Sequence, residues 1–579
     1  MKWTFRSAKL VCFIALFIGL ISNIFALPPG LGAALPATVE PGVLSKTLSP
    51  VTPTPRVAQP LVTPKEKPSA LAGKAAQEVR FQLTGIVLVG NTVYKEKDLK
   101  PLYQDKLRKQ ITIAELQEIV QSITNYYRNN GYILSRAVLP PQHVANGIIY
   151  IRVIEGYIDK VRIIGDAKGS KNILLKYGTN ITKSRPLRLS VMEYYLRIAN
   201  EVPGAQVKAV LEPSKTALGA SDLNLTVTDQ RIQGYLSYDD YGTLYIGPQQ
   251  VTLSTNVNSV IRSGDTTRFF IINTTRPKDL KYIDISYMVP MGSNGVTFKI
   301  GGNNSWTRPG LNLRELKING NSQTYYGLVT YPLLRTREQD LTLDAGFNYM
   351  DSQVTTGILG PAVPLYTDHI RSVRVGGNYN FSDRFLGANY IDIHEEEGIN
   401  VLGASHDVSS TTTSRFGGYS TFPKITTAVS RLQQLHGRFS GFISMLGQYS
   451  FVPLLSGEQF SFGGSSMGRG YSPAEIIGDR GVGGTIELRM DVAPGWALLG
   501  AAQPYVFYDA GVIWNMKNVL GVPQKQSITS TGAGVRFSFT PHISGNFMVA
   551  QPLTKQNAAE QVVGNGRRLQ SYFSVTAYL

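Results

Sequence analysis

Thr485-Ile486-Glu487-Leu488-Arg489-Met490-Asp491-Val492 alternates a polar or charged residue with an apolar one over eight positions. Side chains on a β-strand point to opposite faces in turn. This stretch therefore presents Thr485, Glu487, Arg489 and Asp491 on one side and Ile486, Leu488, Met490 and Val492 on the other. The same period runs through Leu341, Leu343, Ala345, Phe347 and Tyr349 set against Thr342, Asp344, Gly346 and Asn348. Alternation alone also fits a soluble sandwich whose apolar face is turned inward. Length and aromatic content decide between the two. The 349 residues from Arg231 to Leu579 contain no convincing helix, and shared among 16 strands they give about 22 each, a membrane strand of ~9 to 11 residues plus its connection. Beyond the N-terminal leader no apolar run reaches 18 residues, yet the chain holds 30 Tyr, 23 Phe and 57 Gly. Without helices, only a closed barrel satisfies its backbone in lipid. The last strand runs to the end of the sequence, with Phe573, Val575, Ala577 and Leu579 on one face and Tyr572, Ser574, Thr576 and Tyr578 on the other. The fold class expected is a C-terminal transmembrane antiparallel β-barrel of 16 strands. Short turns such as Ser263-Gly264-Asp265 and Thr540-Pro541-His542 alternate with longer loops such as Thr355 to Asp368.

Working back from residue 230, two small α/β modules stand in tandem over 79–156 and 157–229. The first reads as a strand from Phe81 to Val89, then a capping box at Thr112 and Glu115. Leu116, Ile119, Val120, Ile123 and Tyr127 follow at helical spacing up to Gly131, and two strands, Ile133 to Leu139 and Ile148 to Ile154, complete the module. The second reads as a strand from Val161 to Ile164, a helix near Ile173 to Lys176, a capping box at Ser190 and Glu193, and strands Val207 to Leu211 and Leu223 to Val227. A single α/β enzyme domain is disfavoured because neither module carries a Gly-rich phosphate loop.

Residues 1–26 read as a secretory signal peptide. Lys2, Arg6 and Lys9 precede the apolar run Leu10 to Ile21, which is short for a membrane anchor, and Ile24-Phe25-Ala26 is an acceptable cleavage site. The only cysteine, Cys12, lies inside it, so the exported protein has no thiol, disulfide or cysteine-ligated metal. Leu27 to Glu78 holds ten prolines from Pro28 to Pro68 and reads as a proline-rich linker. The formal charge of +17 is scattered rather than gathered into a polybasic stripe, which argues against nucleic acid and suits anionic lipid headgroups or an acidic client.

In this order of parts, particular residues carry a family resemblance. Gly131-Tyr132 through Val138-Leu139-Pro140-Pro141-Gln142, then Val153-Ile154-Glu155-Gly156, is similar to the first polypeptide-transport-associated (POTRA) domain of the two-partner secretion transporters. These are the TpsB, or hemolysin secretion/activation, proteins of the outer-membrane assembly-factor superfamily. Leu196 to Gly204 and Val210-Leu211 resemble their second POTRA domain, and Tyr331-Pro332-Leu333 with Arg335 and Arg337 resembles one of their periplasmic turns. Leu435 to Arg489 resembles them almost continuously. Arg469-Gly470-Tyr471 matches the Val-Arg-Gly-Tyr signature of their sixth extracellular loop, which folds back into the lumen, and Phe507-Tyr508-Asp509 matches its Phe-x-Asp partner on a barrel strand. The resemblance covers about nine tenths of the chain after the signal.

The alternation supports that pairing independently. Val506, Tyr508, Ala510, Val512 and Trp514 form an apolar face, so Phe507 and Asp509 point into the lumen, where the carboxylate matches the fork of a loop arginine. Shielded from water, breaking such a pair costs ~3 to 5 kcal/mol; in a wet lumen it is worth under about 1 kcal/mol.

The resemblance implies an outer-membrane transporter whose POTRA domains capture an unfolded exoprotein in the periplasm and pass it through the barrel to the cell surface or medium. It implies no enzymatic activity, catalytic residue, cofactor or metal. Its implied partners are the exoprotein client, outer-membrane lipids and, during biogenesis, the barrel-assembly machinery and periplasmic chaperones. A 16-stranded barrel leaks unless occupied, and loop residues Phe462 to Ser472 are the expected occupant.

Three departures from the family pattern carry expectations. Gly468 stands in place of the usual Val and is expected to loosen the loop, and Leu579 replaces a terminal aromatic. Many relatives have a plugging helix before the first POTRA domain, but the prolines here leave little room for one, so none is expected.

Other readings of the sequence compete with this one. Gly464-Ser465-Ser466-Met467-Gly468 reads as the G-x-S-x-G elbow of hydrolases, but Arg469-Gly470-Tyr471-Ser472-Pro473 makes a poor helix start where that elbow needs a helix. The six histidines, including His394 beside Glu395 to Glu397, lack metal-ligand spacing. A barrel-insertion factor of the same superfamily remains the alternative function, and a passive porin would lack the two modules.

Overall fold

The computed structural model describes residues 35–48, 55, 80–217, 219–358, 360–405, 412–493, 495, 499–516 and 523–579. The signal-peptide reading over 1–26 lies outside these residues, as does most of the linker reading.

In the first module the helix Ile113–Asn129 starts as read: the Thr112 hydroxyl accepts from the Glu115 N–H, and the Glu115 carboxylate accepts from the Thr112 N–H. A hydrogen bond from Lys106 at 2.7 Å is the first cause holding the Glu115 carboxyl down at about 2, helped by the Thr112 N–H. Leu116, Ile119, Ile123 and Tyr127 pack against Ile149, Ile151 and Val153 of the strand Ile148–Ile154. That strand lies between Gly85–Val89, parallel to it, and Arg136–Val138, antiparallel. The single strand expected over Phe81–Val89 is two. Leu83 N–H bonds to the Lys109 carbonyl and Thr84 N–H to that of Gly147, so the chain changes sheets between them. Ile133–Leu139 shrinks to Arg136–Val138 for strand geometry.

The second module is a three-stranded sheet in the order Ile158–Asp166, Ser221–Asp229, Ala205–Pro213, covered by helices Lys171–Thr182 and Leu189–Asn200. The capping box expected at Ser190 and Glu193 does not form. The helix begins two residues earlier with Arg188 at its N-cap, and the orphan N–H of Leu189 is taken by the carbonyl of Gly131 in the first module. Leu187 N–H bonds likewise to Gly156, and Arg188 Nε to the Tyr132 hydroxyl at 3.1 Å, so the two modules meet through Gly131, Tyr132 and Gly156.

Sixteen antiparallel strands, from Ile232–Asp239 to Gln570–Tyr578, close into a barrel, each paired with its neighbours in order. The last joins the first from Ser574 opposite Asp239 to Tyr578 opposite Tyr235. Burial is inverted relative to a soluble protein. Ile486 and Leu488 are 57% and 46% exposed on the outer face while Thr485 and Glu487 are buried inside, as lipid outside and a polar lumen require. Most of the loop expected over Thr355–Asp368 is strand, because Gln339–Thr356 and Val363–Ser382 continue past the apolar belt. A short α-helix, Ala558–Gln561, capped by the Asn557 side chain, does stand among the described residues of the barrel region.

The stretch read as linker also needs correction. Pro41–Thr47 is a helix inside the barrel, preceded by the 3-10 turn Ala37–Val39. Proline is tolerated at the first helical position, where no N–H is needed, and no other proline follows until Pro50. Val39 and Leu44 pack with Leu280, Ile318, Val354 and Tyr366 of the wall, and the Ser305 hydroxyl donates to the Pro41 carbonyl at 3.2 Å.

Candidate functional site

The connection between the eleventh strand, Phe439–Ser450, and the twelfth, Arg480–Met490, is residues 451–479. It leaves the barrel at the end remote from the α/β modules and returns into the lumen as a hairpin of Phe460–Phe462 with Ile476–Gly478. Glycines in the wall make room for it. A Cβ on Gly483 or on Gly511 would come within 2.2 Å of the Phe462 ring, so the wall is bare where that ring lies. Phe460, Phe462, Met467, Tyr471 and Ile476 of the loop cluster with Ile513 and Ile528 of the strands.

Arg469 sits at the inner bend of the loop, 2% exposed. Its backbone N–H donates to Asp509 Oδ2 at 2.8 Å, its Nε to the same oxygen at 3.0 Å and its Nη2 to Oδ1 at 2.7 Å. Asp509 has no exposed surface. The guanidinium also stacks on Phe507, 3.6 Å from the ring centroid. The structure thus brings Arg469 together with both residues of the strand signature. Gly470 and Tyr471 extend the anchorage: the Gly470 carbonyl accepts from Asn557 at 3.2 Å and the Tyr471 hydroxyl donates to the Thr529 carbonyl at 3.0 Å.

Two further partners of Arg469 escaped sequence reasoning. Nη1 pairs with Glu487 and Nη2 with the Thr485 hydroxyl. Alternation sets both residues on the polar face of their strand, and the missing information is register: Thr485 lies opposite Asp509 and Glu487 opposite Phe507. Glu487 also meets Arg489 Nε at 2.7 Å and Arg536 Nη2 at 3.0 Å, so it is the hub of three arginines. Gly468 is not a loosening. Its φ is +73°, and a Cβ there would lie 2.9 Å from the Gly463 Cα and 3.0 Å from the Phe462 ring, so absence of a side chain is what allows the bend. After Gly464–Gly468 the chain turns back toward Ile476–Gly478 as a hairpin, without the helix a nucleophile elbow requires. His394 is held by Asp344 and Asp392 at 2.8 and 3.0 Å, as a cross-strand brace on the lumen wall.

At the opposite end, the second module is mounted on the barrel turns. Tyr194 donates to the carbonyls of Asn294 and Pro332 at 2.9 and 2.7 Å, and Asn180 to that of Ser293 at 2.9 Å. Buried Arg335 grips Glu201 through Nε at 2.8 Å and Nη2 at 3.3 Å. The end of the strand Asn319–Arg335, resembling a family turn in the sequence, and the helix end at Glu201 are therefore two halves of one joint.

A family model described as haemolysin secretion/activation protein ShlB/FhaC/HecB matches residues 219–537, and one described as POTRA domain, ShlB-type, matches residues 81–156. The chain is 25% identical to the heme/hemopexin transporter protein HuxB of Haemophilus influenzae (strain 86-028NP) over 85% of its own length and 89% of that protein's. It is 24% identical to the outer membrane transporter CdiB of Dickeya dadantii over 77% and 78% of the two lengths. In fold it is similar to CdiB from Escherichia coli, with a TM-score of 0.70 at 19% identity, covering 90% of this chain and 94% of that one.

Proposed function

Since this chain belongs to the haemolysin secretion/activation protein family ShlB/FhaC/HecB, we propose that it captures an unfolded exoprotein in the periplasm through its two POTRA domains and translocates it through the barrel to the cell surface or medium. It is an outer-membrane β-barrel transporter, and its family works with secreted exoprotein partners. The observation that carries the reading is the furnishing of the lumen: a buried, ion-paired loop and an N-terminal helix occupy a barrel that is joined at its other end to two α/β modules.

In this reading the Arg469–Asp509 pair, with Phe507, Gly470 and Tyr471, locks the inward loop to the wall and fixes the shape of the conduit while the client passes. The helix Pro41–Thr47 closes the resting pore. Exposed strand edges of the modules, Gly85–Val89 in the first and Ile158–Asp166 in the second, offer unpaired backbone to an extended client. Like the transporters of its family, the chain acts in this reading by passing its client rather than by covalent chemistry. Outer-membrane lipids contact the apolar belt, and the barrel-assembly machinery and periplasmic chaperones handle the chain during biogenesis.

Deleting the gene and comparing culture media tests the reading. Loss of one large polypeptide from the medium, with the other outer-membrane barrels unchanged, is expected. Unchanged secretion with depleted outer-membrane barrels would point instead to a barrel-insertion factor.

A further inference from the structure

The N-terminal segment 35–48 carries two charges, Glu40 and Lys46. Lys46 Nζ lies 2.6 Å from Glu458 Oε2, in the inward-folding loop. Glu458 is shared with Lys424 of the tenth strand, Pro423–Gln434, and Lys424 reaches Glu396 of the ninth strand, Gly387–Gly398, at 3.1 Å. The Ser372 hydroxyl donates to the other oxygen of Glu396 at 2.6 Å. Two ammonium groups and two carboxylates thus alternate in one chain of contacts. Their burial differs sharply: the side chains of Glu458 and Lys424 are 3% exposed and that of Glu396 is 11%, whereas that of Lys46 is 44% exposed to the lumen.

This asymmetry sets a charge balance. The wall and loop by themselves supply two buried carboxylates and one ammonium. The second cation comes only from the segment, through Lys46, the most accessible of the four side chains. With the segment gone, Glu458 and Glu396 share Lys424 alone, and the uncompensated negative charge leaves a place that attracts another cation. A cavity of about 540 Å³ lies beside Leu44, Thr47 and Leu48, walled by Thr252, Ile272 and the loop tip at Ser466, and gives an incoming chain room to approach before the segment has left.

We propose that Glu458, Glu396 and Lys424 form an exchange site for a basic side chain: Lys46 occupies it in the resting pore, and a lysine or arginine of the passing client occupies it during transport. The exposed ion pair of Lys46 is then the weak latch of the segment, exchanged for an equivalent contact rather than simply broken. This inference rests on the transport reading above.

Purified full-length protein in planar lipid bilayers tests it without any client. Lys46→Gln is expected to raise the fraction of time open about fivefold, the worth of one exposed ion pair. Tetralysine added on the loop side is expected to block K46Q currents at a concentration at least about tenfold lower than it blocks K46Q/E458Q, with tetraglutamate ineffective on both. K46Q/E396Q carries the same expectation and serves if Glu458→Gln does not give a folded, heat-modifiable barrel. Equal tetralysine block with and without the carboxylate overturns the proposal, as does an open fraction unchanged by K46Q. Because the currents are read without export, a failed secretion experiment would sink the transport reading while leaving this result standing.

Discussion

Asp509→Asn isolates the ion pair that anchors the inward loop. The wild-type carboxylate accepts three N–H groups from Arg469, at 2.7, 2.8 and 3.0 Å, and is wholly buried. Asparagine keeps the shape but has one acceptor oxygen. Whichever way it turns, its NH2 faces a donor of Arg469, and one of the two negative charges beside the arginine is gone. Breaking a buried pair from one side costs ~3 to 5 kcal/mol, and retention of Glu487 places this case at the lower end, about 3 kcal/mol. At about 1.4 kcal/mol per decade, the population of the detached loop rises on the order of a hundredfold. Ser472 reports on it. It is 6% exposed and its hydroxyl is held between Thr243 and Asn557. Cys12 is the sole cysteine of the sequence, so Ser472→Cys in a chain processed after Ala26 is the only thiol. Its labelling by an impermeant maleimide is expected to accelerate by about the same hundredfold in D509N, while the barrel remains heat-modifiable. An acceleration below about threefold would refute the pair as the anchor of the loop.

Two smaller predictions concern the loop bend and the first POTRA domain. Gly468→Val restores the usual family residue but places a branched side chain at φ +73° and 2.9 Å from the Gly463 Cα. A strain of ~1 to 3 kcal/mol or more is expected to lower client in the medium by about tenfold or more, with G468A milder and barrel abundance unchanged on immunoblots. Glu115 has its carboxyl held at about 2, first by Lys106 and then by the Thr112 N–H. Its support of the helix Ile113–Asn129 is therefore complete above the ordinary carboxylate range near 4.5 and lost as pH falls through about 2. Hydrogen exchange at the first turn of that helix should weaken over this window in the wild type and show no such step in E115Q.

What could be read in the sequence was whatever depends on local period. Val506 and Tyr508 against Phe507 and Asp509 declare their faces through alternation alone, and a lumenal carboxylate invites a partner. That Arg469 also holds Glu487 and Thr485 depends on which residue of the twelfth strand stands opposite which of the thirteenth, a register set by the whole closed barrel. The helix Pro41–Thr47 was hidden for a different reason. It is two turns long, has little amphipathic pattern, and is held by wall residues more than 230 positions away, such as Leu280, Val354 and Tyr366. Gly468 misled because a missing side chain looks like lost packing until the positive φ and the nearby Gly463 are known. The joint of Arg335 with Glu201 shows the same limit: both ends lay in recognisable stretches, and only the docked fold pairs them.

The central claim is that the client travels through the barrel lumen, and alternation within one strand offers the most direct measurement of it. On the second strand, Gln250–Asn258, Thr252 faces the lumen and is 8% exposed, whereas its neighbour Val251 faces outward and is 38% exposed. With a photo-reactive residue placed at each position in turn, and the client stalled in transit by a folded C-terminal fusion, illumination is predicted to join client to position 252 and leave 251 unlinked. Equal linkage at both positions, or adducts at 251 alone, would contradict passage through the lumen.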